Sequence, residues 1–150
     1  MKKTFLGFLA VPALALPALA IAVLLVGGCG KTAYKDGTYT GRSGEDDTGA
    51  WGEVTLTITG GKVSACEFVT WQRDGTVKDE NYGKINGEIS NRDFYDKAQL
   101  AVAAMKKYAA DYQRTGNLNG VEAVSGATIA HNQFLEAVEN ALEQARQTAR

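Results

Sequence analysis

Residues 53–71 read EVTLTITGGKVSACEFVTW and combine two β-rich runs with a Gly-Gly pair between them. In the first run Val54, Leu56 and Ile58 alternate with threonines, which is the pattern of a strand with one apolar face. Two such runs joined by Gly-Gly predict a β-hairpin. We therefore expect an antiparallel sheet in the first half of the domain.

The second half of the chain carries helical periodicity. Apolar residues recur at helical spacing through residues 93–112, and Gly116 and Asn117 end that pattern. The spacing returns in residues 128–145. Strands grouped before helices predict an α+β fold, in which a small antiparallel β-sheet packs against two amphipathic helices. We expect this domain to span residues 36–150.

The first residues do not fit that domain. Lys2 and Lys3 precede the uncharged, apolar residues 4–28, a layout typical of a secretory signal peptide. The apolar run is also long enough for an uncleaved transmembrane helix. Its end, Leu-Val-Gly-Gly-Cys at residues 25–29, resembles a lipobox and favours a lipoprotein signal peptide over residues 1–28.

Cys29 would then carry a lipid anchor of the palmitate type. Residues 29–35 form a short polar connector, which predicts a domain held at the extracytoplasmic face of the cell membrane. Loss of the two lysines in the signal leaves 14 basic residues against 17 acidic ones, a net charge of about −3. Without a basic cluster, this charge argues against nucleic acid as a partner. The other cysteine, Cys66, lies in a strand pattern and is interpreted as a core residue.

Residues 122–128, Glu-Ala-Val-Ser-Gly-Ala-Thr, stand just before the second helix. Gly126 and Ala127 leave room for a large group, and Ser125 is expected to cap the helix. The free N–H groups and positive dipole end of such a helix suit a phosphate, and Thr128 adds a hydroxyl in the first turn. An ordinary Ser-capped helix without any ligand fits the same residues.

Other chemistry finds little support in the motifs. His131 is the sole histidine and the chain has no CxxC pair, so no metal site is predicted. Nothing places serine, histidine and acidic residues as a catalytic triad.

The tetrapeptide Ser125-Gly126-Ala127-Thr128 before a C-terminal amphipathic helix resembles the signature of the FMN-binding domain family. The resemblance extends over most of the chain after the connector and is strongest to single-domain, membrane-anchored lipoproteins of that family. The segments that carry it are residues 36–41, 60–63, 95–108 and 121–145.

In flavinylated members of this family, a flavin transferase moves FMN from FAD onto the last Thr or Ser of the motif as a phosphoester. The resemblance implies that Thr128 bears the FMN, with Ser125, Gly126 and Ala127 completing the site. Glu122 stands where the family usually has an aspartate that helps to present the site to the transferase.

The resemblance further implies a flavoprotein that carries electrons between a membrane oxidoreductase or the quinone pool and an outside acceptor. The cofactor supplies the redox chemistry, so a carrier is favoured over a stand-alone catalyst. Two alternatives stay open: a non-redox surface lipoprotein (antigen or binding module) with this fold and no flavin, and a flavin-dependent reductase with its own substrate. Aromatic residues that could flank the flavin, or serve as core or sheet-face residues, are Tyr39, Trp51, Trp71 and Tyr82.

Overall fold

The computed structural model describes residues 34–147. The predicted signal peptide and Cys29, the predicted site of lipidation, lie outside the described residues. The elements in chain order are β1 (Gly37–Arg42), β2 (Trp51–Thr59), β3 (Lys62–Trp71), α1 (Arg92–Thr115), a single 3-10 turn (Leu118–Gly120) and α2 (Thr128–Gln147). They form a three-stranded antiparallel sheet in the order β1-β2-β3 together with two long helices, so the α+β prediction is confirmed. Among residues 34–147, none of the helices is both long and apolar enough to span a membrane.

The predicted hairpin joins β2 to β3. Gly60 and Gly61 both adopt positive φ angles, of 60° and 71°, which is the requirement of a tight two-residue hairpin turn. The Asp36 carboxylate accepts hydrogen bonds from both glycine amides at 2.9 Å. These bonds hold its pKa below the ordinary value and tie the start of β1 to the turn.

The core lies between the sheet and the helices. Val54, Leu56 and Ile58 point to this side and are fully buried, which is worth roughly 1.5–3 kcal/mol for each side chain. Helix α2 covers β1 and β2, and α1 covers β3. Phe134 of α2 joins the layers, because its ring contacts Phe68 of β3 at 5.1 Å between centroids.

Helix α2 approaches the sheet very closely at Gly41 of β1. A Cβ atom on this residue would lie 2.0 Å from the Ala137 carbonyl oxygen and 2.4 Å from the Ala141 amide nitrogen. Both neighbours are helix backbone atoms, which cannot move aside separately. Glycine at position 41 therefore sets how deeply α2 sits on the sheet and, through it, where the first turn of α2 lies.

The interpretation of Cys66 as a core residue is confirmed. The side chain is 7% exposed, and burial, followed by the negative charge of Glu67, raises the pKa of the thiol to about 12. At neutral pH the group is a protonated thiol, which is neither nucleophilic nor ready to bind a metal.

Candidate functional site

A tight turn precedes α2. The Ala127 amide donates to the Val124 carbonyl at 2.9 Å, and Gly126, in the third position of the turn, has a φ of 86°. This is the geometry of a type II turn, which requires a residue that tolerates positive φ at that position. A Cβ atom on Gly126 would also lie only 3.2 Å from Leu100 of α1, so glycine serves both the turn and the packing.

The helix begins directly after this turn and lacks a side-chain cap. The His131 amide donates to the Ala127 carbonyl at 3.0 Å, which puts Ala127 in the N-cap position. The expectation that Ser125 caps the helix is therefore wrong, because the type II turn places Ser125 two residues earlier, where it is exposed. Since alanine offers no acceptor, the amides of residues 128–130 donate to nothing within the described chain. Unpaired amides at a helix start, with the helix dipole, favour an anion.

Tyr108 of α1 fixes both ends of the turn. Its hydroxyl accepts a hydrogen bond from the Val124 amide at 2.9 Å and donates to the Ala127 carbonyl at 3.4 Å. The side chain is fully buried, so these bonds are shielded from water. His131 adds a bond from its Nε2 atom to the Val121 carbonyl at 2.8 Å, and the start of α2 is thereby held on two sides.

A cavity of about 420 Å³ opens beside this helix start. Residues 126–130 form one wall, and the inward face of α1 between Phe94 and Met105 forms another. Tyr82 and Lys78 close the cavity where it meets a second one of about 910 Å³. Cofactor pockets usually measure roughly 300–1,000 Å³, so either space is large enough for part or all of a cofactor.

Polar groups inside the smaller cavity keep unused hydrogen-bonding capacity. Gln133 is 5% exposed and donates through Nε2 to the Ala50 carbonyl at 2.9 Å, while its Oε1 atom has no partner among residues 34–147. The Thr70 hydroxyl donates only to the sulfur of Met105, at 2.7 Å, and sulfur is a weak acceptor. Unmet polar groups are costly in a closed core, and here they border a space that a ligand could fill.

The charged groups of the cavity are Lys78, Lys97 and Asp46. The Asp46 carboxylate accepts bonds from the Thr48 amide and hydroxyl and from the Ala50 amide. Burial raises its pKa, but these hydrogen bonds and Lys78 outweigh burial and leave the pKa below the ordinary value. Asp46 is therefore a fixed anion, committed to its own loop.

Three of the five residues predicted from the sequence to form the FMN site line the cavity. Gly126, Ala127 and Thr128 line it, and Thr128 is exposed at the helix start. Ser125 and Glu122 are exposed and do not belong to its wall. The Ser125 and Thr128 hydroxyls make no hydrogen bond within the described part of the chain.

Only Tyr82, of the four aromatic candidates, lies at the two cavities. Trp51 and Trp71 stack on each other, with centroids 6.3 Å apart, across β2 and β3. The Tyr39 hydroxyl donates to the Lys35 carbonyl at the start of the domain. Sequence reasoning missed the wall residues Phe94, Lys78 and Gln133, which carry no motif and come together only through the fold.

Comparison with known proteins identifies a family and a fold. A profile described as the FMN-binding domain matches residues 49–143, a segment that runs from β2 through most of α2. No curated protein sequence matches the chain. The crystal structure of the CPE2226 protein from Clostridium perfringens has a similar fold, with a TM-score of 0.60 and 18% identity over 77% of this chain and 91% of the other. A solution NMR structure of a Clostridium thermocellum protein gives a TM-score of 0.44 and 23% identity over 74% and 92%.

Proposed function

We propose, because the chain belongs to the FMN-binding domain family, that it is an electron carrier with FMN joined to the Thr128 hydroxyl by a phosphoester. The observation that carries this proposal is the position of Thr128. Its hydroxyl stands beside the unpaired amides of residues 128–130, at the wall of a cavity of cofactor size.

The helix start suits the phosphate end of FMN. A phosphoester on Thr128 keeps a negative charge, which the free amides and the positive end of the helix dipole stabilise. Gly126 and Ala127 add no bulk beside it, and the Tyr108 hydroxyl holds the turn in place. The anion therefore meets groups that are already fixed before it binds.

The remainder of the cofactor fits the groups deeper in the cavity. Tyr82 and Phe94 lie edge to face, with centroids 6.2 Å apart, and offer apolar surface to a flat ring. The unpaired Gln133 Oε1 atom is an acceptor near a ligand that carries hydroxyl donors on its ribityl chain. Bound FMN would supply the redox chemistry, and these residues would bind and orient it.

The surroundings of the cavity support the role as a carrier. Both spaces are open to solvent, Asp46 is bonded to its own loop, and Lys97 is exposed, so neither of these two groups is positioned as an acid or base for a substrate. We further propose that Cys29 carries a lipid at the extracytoplasmic membrane face, that a flavin transferase loads Thr128, and that a membrane oxidoreductase or the quinone pool exchanges electrons with the FMN.

The test for FMN attachment is expression of the full chain with a flavin transferase, followed by a denaturing gel viewed under ultraviolet light. We expect a fluorescent band that Thr128→Val abolishes and that Thr57→Val, the same change on the outer face of β2, retains. Flavin absorbance in the native protein without a fluorescent band would contradict the covalent bond alone. Absence of flavin in both forms would contradict the carrier proposal and leave the non-redox lipoprotein.

The anchor has its own test. Cells fed a labelled fatty acid should yield a labelled wild-type chain and an unlabelled Cys29→Ser chain that keeps its signal peptide. An unlabelled wild-type protein that stays in the membrane would contradict lipidation and favour an uncleaved transmembrane helix.

A further inference from the structure

Lys78 lies where the two cavities meet. It contributes to the walls of both, and its Nζ atom stands 5.2 Å from the centroid of the Tyr82 ring. The Lys78 amide donates to the Thr70 carbonyl at 2.8 Å, so the backbone that carries the side chain is fixed against the end of β3.

The ammonium group of Lys78 lacks an anion of its own. It makes no hydrogen bond and no ion pair within 4 Å among residues 34–147, and Asp46 acts on it only from farther away. Burial lowers its pKa, and Asp46 offsets this only in part. Lys84, a neighbour in the larger cavity, differs because its Nζ donates to Asn81 at 3.1 Å. A half-buried cation without a hydrogen-bonded anion is costly unless a ligand supplies negative charge.

The place of Lys78 relative to Thr128 indicates which part of FMN it meets. Thr128 and Lys78 both line the smaller cavity, together with Phe94, Ala98 and Met105 of α1. A cofactor joined to Thr128 by its phosphate would extend along α1 and bring its ring towards Tyr82, Phe94 and Lys78. This step rests on the proposed function, since it takes Thr128 as the point of attachment.

We propose that the Lys78 ammonium contacts the isoalloxazine ring of bound FMN and stabilises the negative charge that the ring carries when reduced. Two electrons from the redox partner and one proton from solvent convert the neutral ring into a singly charged anion. Lys78 exchanges no electron or proton in this step. Its positive charge favours the product electrostatically, so it raises the reduction potential of the flavin.

Sulfite is a direct probe of this contact. The sulfur lone pair of sulfite forms a bond to N5 of the oxidised ring, and the ring takes up the negative charge without any other oxidant or reductant. On the flavinylated full chain we expect Lys78→Met to weaken sulfite binding about tenfold, measured from the loss of flavin absorbance. The midpoint potential of the same variant should become more negative, measured by titration against reference dyes.

Control variants distinguish the effect of the charge on Lys78 from the effect of removing any one lysine from the protein. Lys62→Met removes a lysine from the start of β3, at the opposite end of that strand from the cavities, and should leave both values unchanged. Lys78→Arg keeps the charge and should restore most of the sulfite affinity. If Lys78→Met does not fold, Lys78→Gln is judged by the same criterion.

Flavin loading is measured first and distinguishes the two proposals. A wild-type chain without flavin defeats the proposed function. A loaded Lys78→Met chain with wild-type sulfite affinity and potential overturns the role of Lys78 and leaves the carrier function standing. A loaded wild-type chain that binds no sulfite also contradicts this role.

Discussion

The two halves of α2 differ in how far their polar groups are hydrogen-bonded. In the C-terminal half, Asn140 and Gln144 donate to backbone carbonyls of β1 at 2.8 and 2.7 Å. In the N-terminal half, the Gln133 Oε1 atom and the amides of residues 128–130 have no partner among residues 34–147. The C-terminal half of the helix uses its polar side chains to hold β1, whereas the N-terminal half keeps polar groups that a ligand could bond.

The difference has a cost that can be stated in energies. A hydrogen bond such as that of Asn140 adds about 0.5–1.5 kcal/mol to stability, whereas a buried unpaired group costs about 1–3 kcal/mol. The buried Gln133 Oε1 atom therefore lowers the stability of the ligand-free domain, and a ligand group that donates to it would recover that energy on binding. Proteins often leave polar groups unsatisfied at functional sites, although the same groups would be paired elsewhere in the fold.

Gly41→Val is the substitution that should disturb the packing of α2 on the sheet most severely. Its Cβ would overlap the backbone of Ala137 and Ala141, so α2 must move away from β1, although valine itself favours strands. We expect a loss of about 3 kcal/mol or more in the free energy of unfolding, measured by urea denaturation. Gly44→Ala is the control, because its Cβ would meet only the Glu136 carboxylate, at 3.6 Å. Equal stability of the two variants would show that α2 does not depend on this contact.

Tyr108→Phe should weaken the start of α2. The change leaves the Val124 amide without its partner, which should cost about 1–3 kcal/mol and loosen the turn before Thr128. Flavin loading should fall together with thermal stability. Tyr112→Phe is the matched control, because the Tyr112 hydroxyl makes no hydrogen bond within residues 34–147. If loading were normal in a destabilised Tyr108→Phe domain, the turn would not need this hydroxyl.

Alkaline pH should destabilise the part of the core where α1 covers β3. Burial raises the pKa of the Cys66 thiol from 9.0 to about 12 and that of Tyr112 from 10.0 to about 12. Above pH 9 the unfolded chain releases these protons while the folded chain keeps them, so the free energy of unfolding falls as pH rises towards 12. Urea titrations at several pH values should show a shallower fall for Cys66→Ala. An identical slope would mean that the Cys66 thiol is accessible in the folded state.

Local patterns were sufficient for most of the fold. The alternation in residues 53–59 and the helical spacing before Gly116 predicted β2 and α1, because each depends on neighbours along the chain. The helix end is set by Gly116 itself, which adopts a φ of 61°. The cap was mispredicted because Ser125 has the right chemistry, while the backbone turn at Gly126 decides which residue starts the helix.

The candidate site was predictable only in part. Thr128 could be named from its tetrapeptide, but Lys78 and Gln133 could not. Lys78 lies in an irregular connection after β3, and Gln133 looks like any polar residue of an amphipathic helix. Their approach to Thr128 depends on how α1 and α2 pack on the sheet, and no short segment of sequence records that packing.

Helix α2 also separates the two ends of the domain. At its last turn Arg146 donates to the Tyr34 hydroxyl at 3.2 Å, and the Lys35 amide reaches the Ala145 carbonyl at 3.4 Å. A helix of 20 residues measures about 30 Å, so the chain joins the domain that far from Thr128. Under the proposed lipid anchor at Cys29, α2 would act as a stiff spacer, and its length would limit how far from the lipid surface the proposed FMN site can lie.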